Sequence, residues 1–233
     1  MNRYTPAELF RAVEAICPDI ELHTMNFTKA TERSLWWELS TCILGSQVPY
    51  DLAVSAANKI ENSALLLQEE SYFEALYQSL FDLLSTPLDV GGNLRKYRFP
   101  ESKARQLASA RLTIAKTYGS LSDFLNGFDN AFEARSWLIG NVKGLGPKQA
   151  SMFLRNVGVS YELAILDRHV LNYMSAVGIY AGKEPSISNL EKYKSHEAVL
   201  KKHAVELGCA VGLLDWAIWI VMRVANENLE VAA

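Results

Sequence analysis

Apolar residues recur at intervals of three and four along nearly the whole chain, and in few places at intervals of two. Helices bury a stripe of that spacing, whereas half-buried strands need strict alternation, so the predicted class is all-α. Thr5-Pro6-Ala7-Glu8 combines an N-cap, a proline at the first helical position and a capping-box glutamate. Leu9, Ala12, Val13 and Ile16 follow at helix spacing, and Pro18 closes that segment. Residues 19–28 lack the spacing and read as extended or looped. A second helix is expected over residues 32–44, with Leu35, Leu39, Cys42 and Ile43 inward and Gly45 as its stop. A third opens at Pro49, with Ala53, Val54, Ala57 and Ile60 on one face. A fourth covers about 71–84 on Phe73, Leu76, Tyr77, Leu80 and Phe81. Residues 86–100, with two prolines and Gly91-Gly92, read as the longest loop. A helix over 102–118 stops at Gly119. Two shorter helices are expected between 120 and 141, a loop around 182–186, and a last helix over about 212–226.

The length of 233 residues fits one large domain or two small ones. With 49% apolar and 21% charged residues, the chain can bury a sizeable core and is not a disordered one. Cys17, Cys42 and Cys209 lie far apart and form no CxxC pair, which speaks against a cysteine-only zinc or iron–sulfur centre. An odd count without a framework points to reduced thiols and a cytoplasmic protein. The first residues form an amphipathic pattern with acids, unlike a signal peptide. The run from Trp216 to Val221 is too short to cross a bilayer. The expectation is a soluble, monomeric chain with no membrane partner.

A formal net charge of -3 argues against coating nucleic acid by charge alone. The charge is unevenly spread, however. Residues 61–89 hold six acids and no lysine or arginine, and residues 91–116 hold seven bases and one acid, Glu101. Such a run is either a solvated helix face or, with Tyr97 and Phe99 inside it, a phosphate-facing edge. A grip on only a few phosphates follows.

The segment most informative about chemistry is 138–174, LIGNVKGLGPKQASMFLRNVGVSYELAILDRHVLNYM. Gly144 and Gly146 flank Leu145, permitting a tight turn and close approach of backbone to a ligand. Pro147 suits the first turn of the following helix, whose free N–H groups can hold a phosphate. Leu145 would pin the turn to a core, and Ala150 is small where two helices cross. This is a helix-hairpin-helix pattern over 138–157, a sequence-independent grip on a DNA backbone. Lys148 is either an exposed helix lysine or a nucleophile, since a helix start and desolvation both favour the neutral amine. Asp167 follows nineteen residues on, after Leu163-Ala164-Ile165-Leu166. It is a natural N-cap for a helix beginning near His169, and it can also stabilise positive charge developing on a sugar.

Hairpin, lysine and LDRH at this offset resemble the helix-hairpin-helix superfamily of DNA glycosylases. The likeness is greatest to the archaeal-type 8-oxoguanine DNA glycosylase/lyase family. KQASMFLRNVG, AILDRHVL, YRFPESKARQL, WWELSTCILGSQ and LGCAVGLLDWAIW are similar to its wording, so the likeness runs from about Leu35 to Trp219. The resemblance implies two helical lobes with the active site in the cleft between them. One lobe, 49–158, would carry the hairpin, and 1–48 with 159–233 would form the other. A flipped nucleotide would be worked on there. Lys148 would be the nucleophile and Asp167 the stabilising carboxylate. Gly144, Gly146 and His169 would contact phosphate. Gln47 would stand near the vacated space or the opposite strand, or be an ordinary loop glutamine. Arg98 and Lys103 are candidate phosphate contacts or solvated charges. The implied partner is double-stranded DNA with a damaged or modified base, and no cofactor or metal is required.

The implied function is a bifunctional DNA glycosylase/AP lyase acting through a lysine imine and β-elimination, on 8-oxoguanine first. The family closes on a lysine that helps recognise oxidised guanine, whereas this sequence closes Leu229-Glu230-Val231-Ala232-Ala233. The alternatives are a glycosylase for another modified base and a non-catalytic helix-hairpin-helix DNA-binding protein. Trp36, Trp37, Trp216 and Trp219 are core or stacking residues, and Met25, Phe27 and Tyr50 are loop residues that can line a pocket.

Overall fold

The computed structural model describes residues 4–24, 30–68, 72–182 and 187–230. Among the described residues eleven α-helices carry the fold: α1 Pro6–Thr24, α2 Glu32–Leu44, α3 Tyr50–Ser63, α4 Phe73–Ser85, α5 Pro100–Tyr118, α6 Leu121–Asn126, α7 Ala131–Asn141, α8 Pro147–Asn156, α9 Arg168–Ala176, α10 Leu190–Glu206 and α11 Val211–Glu230. Most of these follow the spacing of apolar residues. Leu35, Leu39, Cys42 and Ile43 of α2 all lie in the core, and Gly45 caps that helix as expected.

Two expectations are corrected. Pro18 does not close α1, which runs on to Thr24. Val13, Cys17 and Ile20 continue one buried stripe across the proline, and that burial outweighs the single hydrogen bond proline forfeits. The loop between α4 and α5 contains a small antiparallel pair, β1 Leu88–Val90 and β2 Asn93–Arg95, with Leu88 opposite Arg95. Gly91 and Gly92 form its turn with φ of 60° and 84°, the left-handed conformation that two-residue hairpin turns demand. Met25 and Phe27 lie outside the described residues, as do 183–186 of the expected loop. Tyr50 opens α3 and is 70% exposed.

The chain divides into two compact units, Lys29–Val159 and, from its two ends, Met1–Thr28 with Ser160–Ala233. In the central unit α4 lies along α5, and α2 packs against α3, α5, α6 and α8. The expected lobe boundary near residue 49 is therefore displaced, because α2 belongs with the central helices. Its first residue shows why. The Glu32 carboxylate accepts from the N–H groups of Leu121 at 2.8 Å and Ser122 at 3.0 Å, capping α6 from another helix. At the far end of α5, Tyr118 packs edge-on against Phe124 and Trp137 at 5.3 Å and 5.1 Å between ring centres. In the other unit α11 is the hub, packed by α1, α9 and α10 around Val13, Val170, Tyr173, Leu214 and Ile218. All three cysteines are buried, and none forms a disulfide. Among the described residues no single helix is long and apolar enough to cross a membrane.

Candidate active site on the helix-hairpin-helix

Helices α7 and α8 are the two arms of the hairpin motif. Asn130 caps α7, its Oδ1 accepting from the N–H groups of Phe132 at 3.1 Å and Glu133 at 3.0 Å. Arg135 of α7 is buried and donates to Ser151 Oγ of α8 at 3.1 Å, which ties the arms together. Between them Val142 and Leu145 point into the core and hold the turn down. Gly144 has φ of 95°, and a Cβ there would stand 2.4 Å from Gln106 Oε1 of α5. Both conformation and space therefore call for glycine. Gly146 is the N-cap of α8 and offers no side-chain cap, while Pro147 has no N–H of its own. The N–H groups of the first turn are thus left for an outside acceptor, at the positive end of the helix dipole.

Lys148 is the second residue of α8 and is half-buried. The helix packs on both α7 and α2, with Ala150 fully buried. Glu38 of α2 accepts from Asn156 Nδ2, at the end of α8, at 2.6 Å. The Cys42 thiol, one turn further along α2, donates to the same Glu38 oxygen at 3.5 Å. Burial pushes that thiol well above the usual range and Glu38 adds to the rise, while Lys148 and Arg155 pull it back. Glu38 and Cys42 thus place α2 against α8.

Two more pieces gather at the end of α2. Tyr97 Oη donates to Leu44 O at 2.6 Å, which brings 97–99 to the end of α2. Arg98 is exposed, its guanidinium 4.9 Å from the centre of the Phe99 ring. Gln47, three residues past α2, is exposed and has φ of 61°, a left-handed conformation that a non-glycine residue adopts only under constraint. Lys103 departs from the expectation of a surface charge. It is 6% exposed, and burial holds its pKa below that of an ordinary lysine. Gly144, Gly146, Lys148, Gln47, Arg98 and Lys103 all belong to the central unit; Asp167 and His169 belong to the other.

Asp167 is the N-cap of α9, its Oδ1 accepting from Val170 N–H at 2.8 Å. The preceding run Leu163 to Leu166 is fully buried without being helical, so its backbone needs side-chain partners. Glu197 accepts from Ala164 N–H at 2.8 Å, and Tyr193 Oη bonds both Ala164 O and Leu166 N–H at 2.9 Å. These α10 residues fix the strap that presents Asp167, and sequence reading missed them. Glu38, Asn156 and Gln106 escaped it as well, because their roles exist only across helices. His169 is half-buried, and its Nδ1 is buried without a hydrogen-bond partner among the described residues.

A family model described as 8-oxoguanine DNA glycosylase matches residues 20–209. The chain belongs to the 8-oxoguanine DNA glycosylase family. An 8-oxoguanine DNA glycosylase/AP lyase of Sulfurisphaera tokodaii is 37% identical over 85% of this chain and 86% of its own. One of Thermotoga petrophila is 30% identical over 93% and 95%. Among solved structures, the Methanocaldococcus jannaschii 8-oxoguanine glycosylase/lyase in complex with a 15mer DNA containing 8-oxoguanine superposes with a TM-score of 0.69. It is 25% identical and covers 91% of this chain and 95% of that one. The 8-oxoguanine DNA glycosylase of Thermotoga maritima gives 0.68 at 28% identity, over 92% and 93%. The all-α architecture is therefore that of a known family of DNA glycosylases.

Proposed function

We propose that Lys148 is the nucleophile with which this DNA glycosylase/AP lyase excises 8-oxoguanine from double-stranded DNA, and that Asp167 acts on the same nucleotide. The observation that carries the reading is a half-buried lysine one residue past Pro147, at the start of a helix opened by a phosphate-binding hairpin. Neutral Lys148 attacks the sugar C1′ and the bond from C1′ to the base breaks. The Asp167 carboxylate stabilises positive charge on the sugar as that bond opens. The amine then loses a proton and the C1′–O4′ bond opens, with O4′ taking a proton, to give an imine; the imine acidifies the C2′ hydrogen, and its loss expels the phosphate from C3′, cutting the strand on the 3′ side by β-elimination. A glycosylase that used water would need the carboxylate alone, so the lysine is what joins the two activities. Gly144 and Gly146 hold a backbone phosphate through N–H groups, with His169, Arg98 and Gln47 as further DNA contacts. The enzyme works as a monomer in the cytoplasm in this reading.

Borohydride trapping on duplexes carrying 8-oxoguanine, other modified bases or an abasic site, with each opposite base, tests the proposal. Wild-type protein is expected to crosslink best to 8-oxoguanine, and Lys148→Gln to bind the duplex without crosslinking. A wild type that binds but never crosslinks or cuts would make the chain a DNA-binding protein instead. Preference for a different base would move the substrate and leave the mechanism standing.

A further inference from the structure

We propose that the β1–β2 pair is a second DNA-contacting arm, in which Leu94 is set against the base stack beside the flipped nucleotide. The proposal rests on the reading of the chain as a DNA glycosylase and adds an apolar contact to its polar ones.

Leu94 of β2 is 76% exposed and lies in the basic stretch of the sequence. Its direct partner across the pair is Asp89, while Leu88 stands opposite Arg95. Neighbouring residues of a strand point to opposite faces. Leu88 is 2% exposed and β1 packs on α3, so that face turns inward, and Leu94 with Asp89 turns outward. The arm is braced at both ends. Ser55 Oγ of α3 donates to Asp89 O at 2.7 Å, and the Asp89 carboxylate accepts from Gly92 N–H at 2.7 Å. Beyond β2, Tyr97 is tied to Leu44 O, three residues before Gln47. Leu94 is therefore held in place three residues from an anchor at the end of α2. Arg95, Lys96 and Arg98 follow it, all exposed. A lone exposed leucine is ordinary on a protein surface. This one is set apart by its brace and by the cations beside it, which draw the arm to a phosphate backbone. The one outward acid, Asp89, is engaged in the turn. A flipped nucleotide leaves neighbouring bases unstacked, with their apolar faces open. Leucine is among the side chains that proteins push between base steps, and here it covers such a face.

The test uses a Lys148→Gln parent, which cannot cut, and a duplex in which 2-aminopurine replaces the base next to 8-oxoguanine. Binding by the parent is expected to change the 2-aminopurine emission as the neighbouring stack opens. Leu94→Ala should bind about tenfold more weakly and lose most of that change. The slope of log K against log salt should stay the same, since an apolar contact releases no counterions. Leu94→Phe should keep affinity and emission near the parent's. The melting temperature of Leu94→Ala should lie within about 2 °C of the parent's, as at any exposed position. Val205→Ala, at another exposed apolar residue in the other unit, is the control and should leave both readings alone. Parental affinity and emission in Leu94→Ala overturn the proposal. So does weaker binding whose salt slope falls with it, which would assign the effect to Arg95 and Lys96. A melting temperature far below the parent's overturns it as well, since the leucine would then serve the fold. A parent that fails to bind the duplex removes the glycosylase reading and this proposal with it.

Discussion

Asp167 carries two duties on one side chain: it caps α9 and, in the proposed mechanism, faces the reacting sugar. The duties separate by substitution. Asparagine caps a helix about as well as aspartate, so Asp167→Asn should unfold within a few tenths of a kcal/mol of wild type. Asp167→Ala should lose about 1 kcal/mol. Both should slow single-turnover excision by about a hundredfold or more, since the carboxylate charge is gone in each. Urea titration and rapid-quench excision on the same samples check this; an active Asp167→Asn would confine the residue to capping. Gly144 offers a second separation. With φ of 95°, alanine there costs about 1 kcal/mol in backbone strain whatever its surroundings. Its Cβ also strikes the Gln106 carboxamide, the movable end of a long side chain. Gly144→Ala should therefore be destabilised and bind DNA more weakly. Adding Gln106→Ala should relieve the steric part alone, as a double-mutant cycle in urea would read.

At the scale of elements, α2 and α8 meet across a half-buried carboxyl. Desolvation raises the Glu38 pKa, and hydrogen bonds from Asn156 and Cys42, with the charge of Arg155, offset part of the rise. An acid whose folded pKa lies above its unfolded value stabilises the fold below the unfolded pKa. It loses that contribution as pH climbs from about 4.3 through the raised value. Glu38→Gln removes this titration and keeps an oxygen for Asn156 Nδ2. Its new amide can also donate to Asn156 Oδ1, which is buried without a partner. The stability difference between Glu38→Gln and wild type should grow from pH 4 to pH 8 and reach about 1 kcal/mol. Thermal unfolding across that range checks it, and a difference that stays flat with pH would refute it.

That same pairing of helices marks how far the sequence could be read. Helix positions follow from spacing, and Gly45, Gly119 and Asp167 announce their own boundaries. The hairpin glycines, Lys148 and Asp167 stand out because local geometry restricts what such positions hold. Pro18 misleads, since whether a proline ends a helix is decided by burial on either side of it. The β1–β2 pair hides in a stretch too short for alternation to register. Glu38 with Asn156, and Glu197 with Ala164, join residues 118 and 33 positions apart. No spacing rule connects such residues, and the lobe boundary near residue 49 fails for that reason.

For the whole molecule, the small net charge of -3 conceals one strongly acidic region and one strongly basic one. The basic region lies in the central unit, together with the hairpin, Arg98 and Gln47. A grip made of a few N–H groups and a few cations should give a shallow salt response. A slope of log K against log salt of about −3 to −4 corresponds to about four phosphates. Fluorescence anisotropy on a labelled duplex across a salt series measures it, and a slope near −8 would require a far larger basic surface than these residues supply.

The aromatic cluster at the end of α5 has a practical consequence. Trp36, Trp37 and Trp137 belong to the central unit, Trp216 and Trp219 to the other. Trp137 sits on α7, the first arm of the hairpin motif, against Tyr118 and Phe124. Its indole is thus a resident optical probe of the arm that carries the turn. With the other indoles replaced by phenylalanine, its emission would show when duplex engages that arm, with no dye attached to protein or DNA.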